Sequence, residues 1–204
     1  VGNGILNEDC LEENGFDLKG KKVLILGTGG TSKTAYAVCS NLGAEFLSKV
    51  SRSAKDGAIS YEDAYKLHSD AAYIINTTPS GMYPNLDSKP IDLNAFTNLE
   101  GVADVIYNPL RTRLIIDAKK RGIKACSGLK MLIYQAVAAC EFFTGKKVAK
   151  EKVEEIYKKI YDSNNNITGY DRFGITALVI RDLMSYESTR KNPNNPDYQH
   201  YQHY

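Results

Sequence analysis

The sequence predicts an α/β fold, a doubly wound parallel sheet with helices on both faces. Short, mainly apolar segments such as Val23–Leu26 and Ala71–Asn76 are typical of strands that a parallel sheet buries on both sides. Between such segments lie helical patterns that end at glycines, for example Gly43 and Gly122. Strands that alternate with helices in this way favour parallel pairing.

The predicted elements follow one another at the spacing of β-α-β units. Strands are predicted over 23–26, 46–50, 58–61, 71–76, 102–107 and 123–126, and helices over about 34–42, 62–68, 112–121, 129–144 and 150–161. From residue 162 the composition changes. An apolar patch at 175–184 predicts one further helix, and the end rich in Asn, Pro, Tyr and His is typical of a disordered tail.

Charge and cysteine content restrict the class of protein. The chain has 26 basic and 24 acidic residues, which argues against a nucleic-acid or membrane partner because either would need a concentrated positive face. The four cysteines stand far apart, as expected of buried thiols in a reducing cytoplasm. We predict no metal site, because the terminal His200 and His203 lack acidic or cysteine partners at ligand spacing.

A glycine-rich turn joins the first predicted strand to the first predicted helix. In the segment Gly-Thr-Gly-Gly at 27–30, the first glycine permits a tight turn and the second lets the backbone approach a pyrophosphate. The helix N-terminus beyond it offers unpaired N–H groups to an anion. The hydroxyls of Thr31 and Ser32 either cap this helix or touch phosphate. The turn therefore predicts a Rossmann-type dinucleotide site.

The second predicted strand ends at a basic turn, Ser-Arg-Ser-Ala-Lys at 51–55. An NAD site usually has an acidic residue here, which binds the ribose 2′-hydroxyl. Arg52 instead presents two donors to a 2′-phosphate and a planar group that stacks on adenine. A solvated basic turn would explain a lone arginine, but it explains less well a cluster of cations and hydroxyls. We therefore predict NADP(H) as the cofactor.

Three downstream segments add to these two turns. They are NTTPSGMYP at 76–84, DVIYNPLRT at 104–112 and SGLKMLIYQA at 127–136, whose helix closes with EFFTG at 141–145. In order and spacing, the five motifs resemble the cofactor domain of the shikimate dehydrogenase family, over about residues 18–161. The resemblance implies NADPH-dependent, reversible reduction of 3-dehydroshikimate to shikimate, in aromatic amino-acid biosynthesis.

The resemblance also implies roles for single residues. Tyr107 and Gln135 would contact the substrate, although Tyr107 could instead cap the sheet. Gln135 is harder to explain as a core residue, because a buried amide needs hydrogen-bond partners. Thr77, Pro79 and Met82 would border the nicotinamide end, and the Gly128 backbone would meet the nicotinamide amide. Met131 and Leu132 would pack against the ring or be plain core. The full predicted cofactor set is Gly27, Thr28, Gly29, Gly30, Thr31, Ser51, Arg52, Ser53, Lys55, Thr77, Pro79, Met82, Gly128, Met131 and Leu132.

The chain departs from the family pattern in its first part. In the family, an N-terminal substrate domain precedes the cofactor domain, and the lysine and aspartate that handle the proton lie in or just after it. The segment Asn-Glu-Asp at 7–9 lies too close to Gly27 to be the family's Asn-Thr-Asp, so we expect no catalytic residue in this chain. Lys55 lies slightly off the family's basic position.

We therefore expect a linker or helix remnant of a missing substrate domain at 1–17, an NADP-binding domain at 18–161 and a tail at 162–204. Two alternatives remain open. One is a quinate/shikimate dehydrogenase, and the other is a non-catalytic NADP(H)-binding module.

Overall fold

The computed structural model describes residues 8–55, 57–163 and 181. The chain divides into two units, residues 1–132 and 133–204, and each is described by itself. Of the segment predicted at 1–17, the structure describes residues 8–17. The predicted helix at 175–184 and the predicted disordered end lie outside the described residues, apart from residue 181.

The first unit contains five strands and the helices between them. In chain order these are α1 (Glu8–Glu13), β1 (Lys22–Leu26), α2 (Gly30–Asn41), β2 (Phe46–Val50), α3 (Tyr61–Leu67), β3 (Tyr73–Asn76), a 3₁₀ turn (Leu93–Ala95), β4 (Gly101–Asp104), α4 (Arg113–Lys120), β5 (Lys124–Ser127) and the start of α5 (Gly128–Thr144).

The strands form one parallel sheet in the order β2-β1-β3-β4-β5. Ile59 forms an isolated parallel bridge to Val50, on the side of β2 that faces away from β1. With this bridge counted as a vestigial third strand, the order becomes the Rossmann order 3-2-1-4-5-6. The predicted fold class is confirmed.

Two predicted strands are wrong in extent. Residues 58–61 form only the single bridge at Ile59, because Ser60 accepts a hydrogen bond from the Asp63 amide (3.0 Å) and begins α3. The strand predicted over 102–107 ends at Asp104, because the Ile106 amide donates to the Asp104 carboxylate (3.1 Å) instead of to a neighbouring strand. At Asp104 a side chain thus takes a backbone donor out of the sheet, and at Ser60 a side chain caps a helix where a strand was predicted.

Helices cover both faces of the sheet, as predicted. Successive strand side chains point to opposite faces. On one face, Leu24 and Ile74 belong to a buried cluster that includes Ala64 of α3 and Leu114 of α4.

On the other face, Tyr73 lies 5.3 Å from the Phe16 ring, and the Sγ atoms of Cys126 and Cys10 of α1 are 3.2 Å apart. Because both faces of the central strands are covered, their side chains are buried throughout β1, β3 and β4 apart from Lys22.

The second unit contains the rest of α5 and α6 (Lys150–Ser163). Glu141 of α5 organises the connection, since its carboxylate accepts hydrogen bonds from the Val148 amide and from Lys147 (both 2.8 Å). Val153 and Ile156 supply the buried positions of α6. The two helices predicted over 129–144 and 150–161 are confirmed. No helix among the residues described is both long enough and apolar enough to cross a membrane.

Candidate functional site

A cleft of about 830 Å³ lies at the carboxyl edge of the sheet, where β1, β2 and β3 end. The chain leaves β1 toward one side of the sheet and β3 toward the other, and α/β proteins bind ligands at such a switch point. The cleft is lined by Gly27, Thr28, Gly29, Val50, Ser51, Arg52, Tyr61, Thr77, Thr78, Pro79, Ser80, Met82, Tyr83, Pro84, Asn85, Ser88, Lys89 and Pro90.

Gly27 brings the glycine turn into close contact with the segment after β3. Its φ of +107° is a conformation that residues with a side chain rarely adopt. A Cβ at this position would lie 2.8 Å from Thr77 Oγ1. Thr77 is itself fixed, because its amide (3.0 Å) and its hydroxyl (2.6 Å) both donate to the Leu26 carbonyl. The predicted tight turn is present, and this contact explains why it requires glycine.

The N-terminus of α2 follows the turn without a side-chain cap. Gly29 occupies the N-cap position, and a Cβ at Gly29 or Gly30 would meet no atom within 4 Å. Ser32 is buried and its hydroxyl donates to the Gly29 carbonyl (2.6 Å), so it neither caps the helix nor faces the cleft. Backbone N–H groups therefore remain at a helix end with open space beside them, which suits an anion.

The basic turn after β2 supplies the positive charge at the cleft. Arg52 is exposed and lines the cleft together with Ser51, whose hydroxyl contacts that of Ser53 (3.2 Å). Tyr61, the first residue of α3, also lines the cleft. Burial raises the pKa of the Tyr61 phenol, and the positive charge of Arg52 opposes this rise.

A buried polar network lies beneath the cleft, where β3 and β4 end. Asp104 and Asn76 are register partners and both are fully buried. The Asp104 carboxylate accepts hydrogen bonds from Asn76 Nδ2 (3.0 Å), the Ile106 amide (3.1 Å) and the Thr112 hydroxyl (2.7 Å). Desolvation raises the pKa of Asp104 to about 6, and the three donors act against that rise. Asn76 Oδ1 in turn accepts from the amide (3.0 Å) and hydroxyl (2.6 Å) of Thr78.

The cleft brings together predicted cofactor residues from the turns after β1, β2 and β3, namely Gly27, Thr28, Gly29, Ser51, Arg52, Thr77, Pro79 and Met82. Gly30 and Thr31 lie next to the cleft lining, in the first turn of α2. Ser53 and Lys55 are exposed and do not belong to the residues that line the cleft. Their predicted roles stay predictions.

The remaining predicted residues lie around the start of α5. Gly128 packs so closely on the chain after β4 that a Cβ would lie 2.2 Å from the Val105 carbonyl oxygen. Met131 and Leu132 are buried, as expected if they are core residues. Tyr107 follows β4 and is half-buried, and Gln135 is a half-buried residue of the second unit. Their predicted contacts with cofactor and substrate stay predictions.

Tyr61 and Lys89 line the cleft but are absent from the predicted set. Lys89 forms an ion pair with Asp117 (2.8 Å), which raises its pKa. Tyr61 was not predicted because residues 58–61 were predicted as a strand. A helix starts here instead, and it places its first residue, Tyr61, at the edge of the sheet. Among the described residues, no group of histidine, cysteine and acidic side chains could hold a metal ion.

The cleft, the glycine turn and the strand order define a Rossmann-type domain. A family model described as the shikimate 5′-dehydrogenase C-terminal domain matches residues 128–156. The chain is thus similar to the C-terminal part of the shikimate dehydrogenase family.

Individual relatives agree with the family model. A shikimate dehydrogenase (NADP(+)) of Clostridium perfringens strain SM101 is 34% identical over 160 residues, which are 74% of this chain and 59% of the relative. The enzyme of the same name from Caldicellulosiruptor bescii is 38% identical over 152 residues, 63% of this chain and 50% of the relative. The chain thus spans between 50% and 59% of the length of these relatives.

A solved structure supports the same fold. The crystal structure of a chorismate mutase/shikimate 5-dehydrogenase fusion protein from Clostridium acetobutylicum superposes with a TM-score of 0.71 at 28% identity. The match covers 76% of this chain and 59% of that chain.

Proposed function

We propose that this chain is the NADP(H)-binding part of a shikimate dehydrogenase, which reversibly reduces 3-dehydroshikimate to shikimate. One observation carries the proposal: the glycine turn, the uncapped N-terminus of α2 and Arg52 all border one cleft at the switch point of the sheet. A dinucleotide with a 2′-phosphate has a pyrophosphate for the glycine turn and the helix N-terminus, and a 2′-phosphate for Arg52. The names of the two curated relatives, shikimate dehydrogenase (NADP(+)), support the same cofactor and substrate.

The residues around the cleft divide the work of binding. Backbone N–H groups at the start of α2 receive the pyrophosphate, and Arg52 holds the 2′-phosphate through charge-assisted hydrogen bonds. Thr77, Pro79 and Met82 border the nicotinamide end and orient it. Bound NADPH supplies the hydride for carbonyl reduction. This chain's contribution is to fix the cofactor's position, which lowers the entropic part of the barrier.

The substrate side of the proposal rests on Tyr107 and Gln135, which contact polar groups of shikimate. We place the proton-handling groups of the reaction outside the 204 residues of this chain. The purified chain is therefore expected to bind NADPH more tightly than NADH and to oxidise shikimate at a negligible rate.

Arg52→Ala tests the cofactor assignment. The loss of a charge-assisted phosphate clamp should weaken NADP⁺ binding by roughly tenfold to a hundredfold and leave NAD⁺ binding nearly unchanged. Isothermal titration calorimetry with both cofactors measures the two effects. Lys119→Ala removes an exposed cation from the end of α4, which does not line the cleft, and serves as the charge-matched control. Equal losses for NADP⁺ and NAD⁺ would contradict the 2′-phosphate assignment.

A further inference from the structure

Asp104 is a buried carboxylate that accepts hydrogen bonds from three neutral donors. Within the described part of the chain they are an amide side chain, a hydroxyl and a backbone N–H, from Asn76, Thr112 and Ile106. A buried carboxylate without a cation costs stability, and burial raises the pKa of Asp104 to about 6, so at neutral pH it is mostly ionised at that cost. An apolar residue at the end of β4 would avoid this cost but would leave the three donors without an acceptor. The hydrogen bond that the carboxylate accepts from Asn76 indicates a further role for Asp104.

The ionised carboxylate determines which way the Asn76 amide faces. A carboxylate only accepts hydrogen bonds, so the NH₂ group of Asn76 must point toward Asp104 (3.0 Å). The amide oxygen must then point the other way, where it accepts from both the amide and the hydroxyl of Thr78. A flipped amide would place two acceptors against each other at Asp104. It would also remove the acceptor of the Thr78 N–H.

The segment fixed in this way borders the cleft. Thr78 and Ser80 line it, and the Ser80 amide lies 3.4 Å from the Thr78 hydroxyl, to which it donates. The second branch of the network reaches the same segment: Thr112 donates to Asp104 (2.7 Å), and a Cβ at Gly81 would lie 3.5 Å from the Thr112 Cβ. Both branches that start at Asp104 therefore end at residues 77–81.

We propose that Asp104 is a positioning residue for cofactor binding, because its carboxylate orients the Asn76 amide and thereby sets the conformation of residues 77–81 at the cleft. The inference rests on the proposed function in naming the ligand of the cleft. It adds a determinant that never touches that ligand. The effect of Asp104 is confined to the side of the cleft that the segment after β3 forms. The effect of Arg52 is on the other side, because Arg52 follows β2.

Asp104→Asn tests the proposal, because the new amide has nearly the same shape but no longer excludes the flipped orientation of Asn76, in which the Thr78 N–H loses its acceptor. NADP⁺ should bind about tenfold more weakly, because residues 77–81 are then no longer held in one conformation. Adenosine 2′,5′-bisphosphate, which lacks the nicotinamide half, should bind within about twofold of the wild type because Arg52 and the glycine turn are unchanged. A general loss of structure would weaken both ligands equally and would overturn the proposal.

Glu100→Gln is the matched control. Glu100 precedes β4 as Asp104 ends it, and its carboxylate accepts from Lys21 (2.5 Å) and from the Tyr73 hydroxyl (3.2 Å) at the opposite edge of the sheet. This change of a carboxylate to an amide should lower stability and leave both dissociation constants unchanged.

NMR separates this inference from the proposed function. In the ligand-free chain, the ¹⁵N–¹H resonances of Thr78 and Ser80 should shift in Asp104→Asn and stay in place in Glu100→Gln. Unchanged resonances in Asp104→Asn would overturn the positioning role even if NADP⁺ binds the wild type. Failure of the wild type to bind NADP⁺ would overturn only the identity of the ligand. If Asp104→Asn does not fold, Thr78→Val removes the hydroxyl link alone and should show the same selective loss of NADP⁺ affinity; equal affinities in Thr78→Val and the wild type would overturn the proposal.

Discussion

Gly27 determines how closely the phosphate-binding turn approaches the segment after β3. Gly27→Ala should lower stability by about 1–3 kcal/mol, because φ is +107° and the new Cβ would lie 2.8 Å from Thr77 Oγ1. The turn must then move away from Thr77, so NADP⁺ affinity should fall about tenfold. Urea unfolding and calorimetric titration measure the two effects.

Gly20→Ala is the control for this substitution. Gly20 also has a positive φ, +68°, but a Cβ there would meet no atom within 4 Å. It should therefore show only the backbone cost, with cofactor affinity unchanged. An equal loss of affinity in both variants would contradict the role assigned to the close contact at Gly27.

The cleft residues that were predicted from the sequence share one property, namely that each follows a strand. The end of a buried apolar run can be read from the sequence, and the carboxyl ends of parallel strands meet at one edge. Gly27, Arg52 and Thr77 were found in this way. Tyr61 and Lys89 could not be found, because the former starts a helix and the latter lies in an irregular loop whose path depends on tertiary contacts.

Among the elements, α3 shows what periodicity cannot resolve. Residues 58–61 contain apolar residues at the length of a short strand, yet the hydroxyl of Ser60 starts a helix there. That hydroxyl accepts from the Asp63 amide (3.0 Å) and donates to the Asp63 carboxylate (2.8 Å). This cap depends on the hydroxyl of one residue, and it overrides a weak strand pattern.

Ser60→Ala should lower the free energy of unfolding by about 1 kcal/mol, the usual effect of removing an N-cap. Ser40→Ala changes an exposed serine inside α2 and should have almost no destabilising effect, since alanine is the better helix former. Urea denaturation of the two variants measures the difference. Equal stabilities would show that the Ser60 cap contributes nothing to the start of α3.

For the molecule as a whole, carboxylates of two kinds shape the dependence of stability on pH. Hydrogen bonds from Lys21 lower the pKa of Glu100, and those from Lys22 lower the pKa of Asp70. Each stabilises the fold above its unfolded pKa and loses that effect as the pH falls through its folded pKa. Asp104 has the opposite sign, because its folded pKa is raised. The groups that face it are Asn76 of β3, the Ile106 amide and Thr112 at the start of α4, and none of them titrates in this range.

The contribution of Asp104 is therefore fully present below pH 3.8 and is lost as the pH rises through about 6. The free energy of unfolding of the wild type, measured relative to that of Asp104→Asn, should fall by up to about 3 kcal/mol between pH 4 and pH 7. The free energy of unfolding of the wild type, measured relative to that of Glu100→Gln, should rise over the same range, because the pKa of Glu100 is lowered. Urea unfolding of the three proteins at several pH values measures both slopes. Slopes of the same sign would show that the pKa of Asp104 is not raised in the folded protein and that its three neutral donors offset the cost of burying the carboxylate.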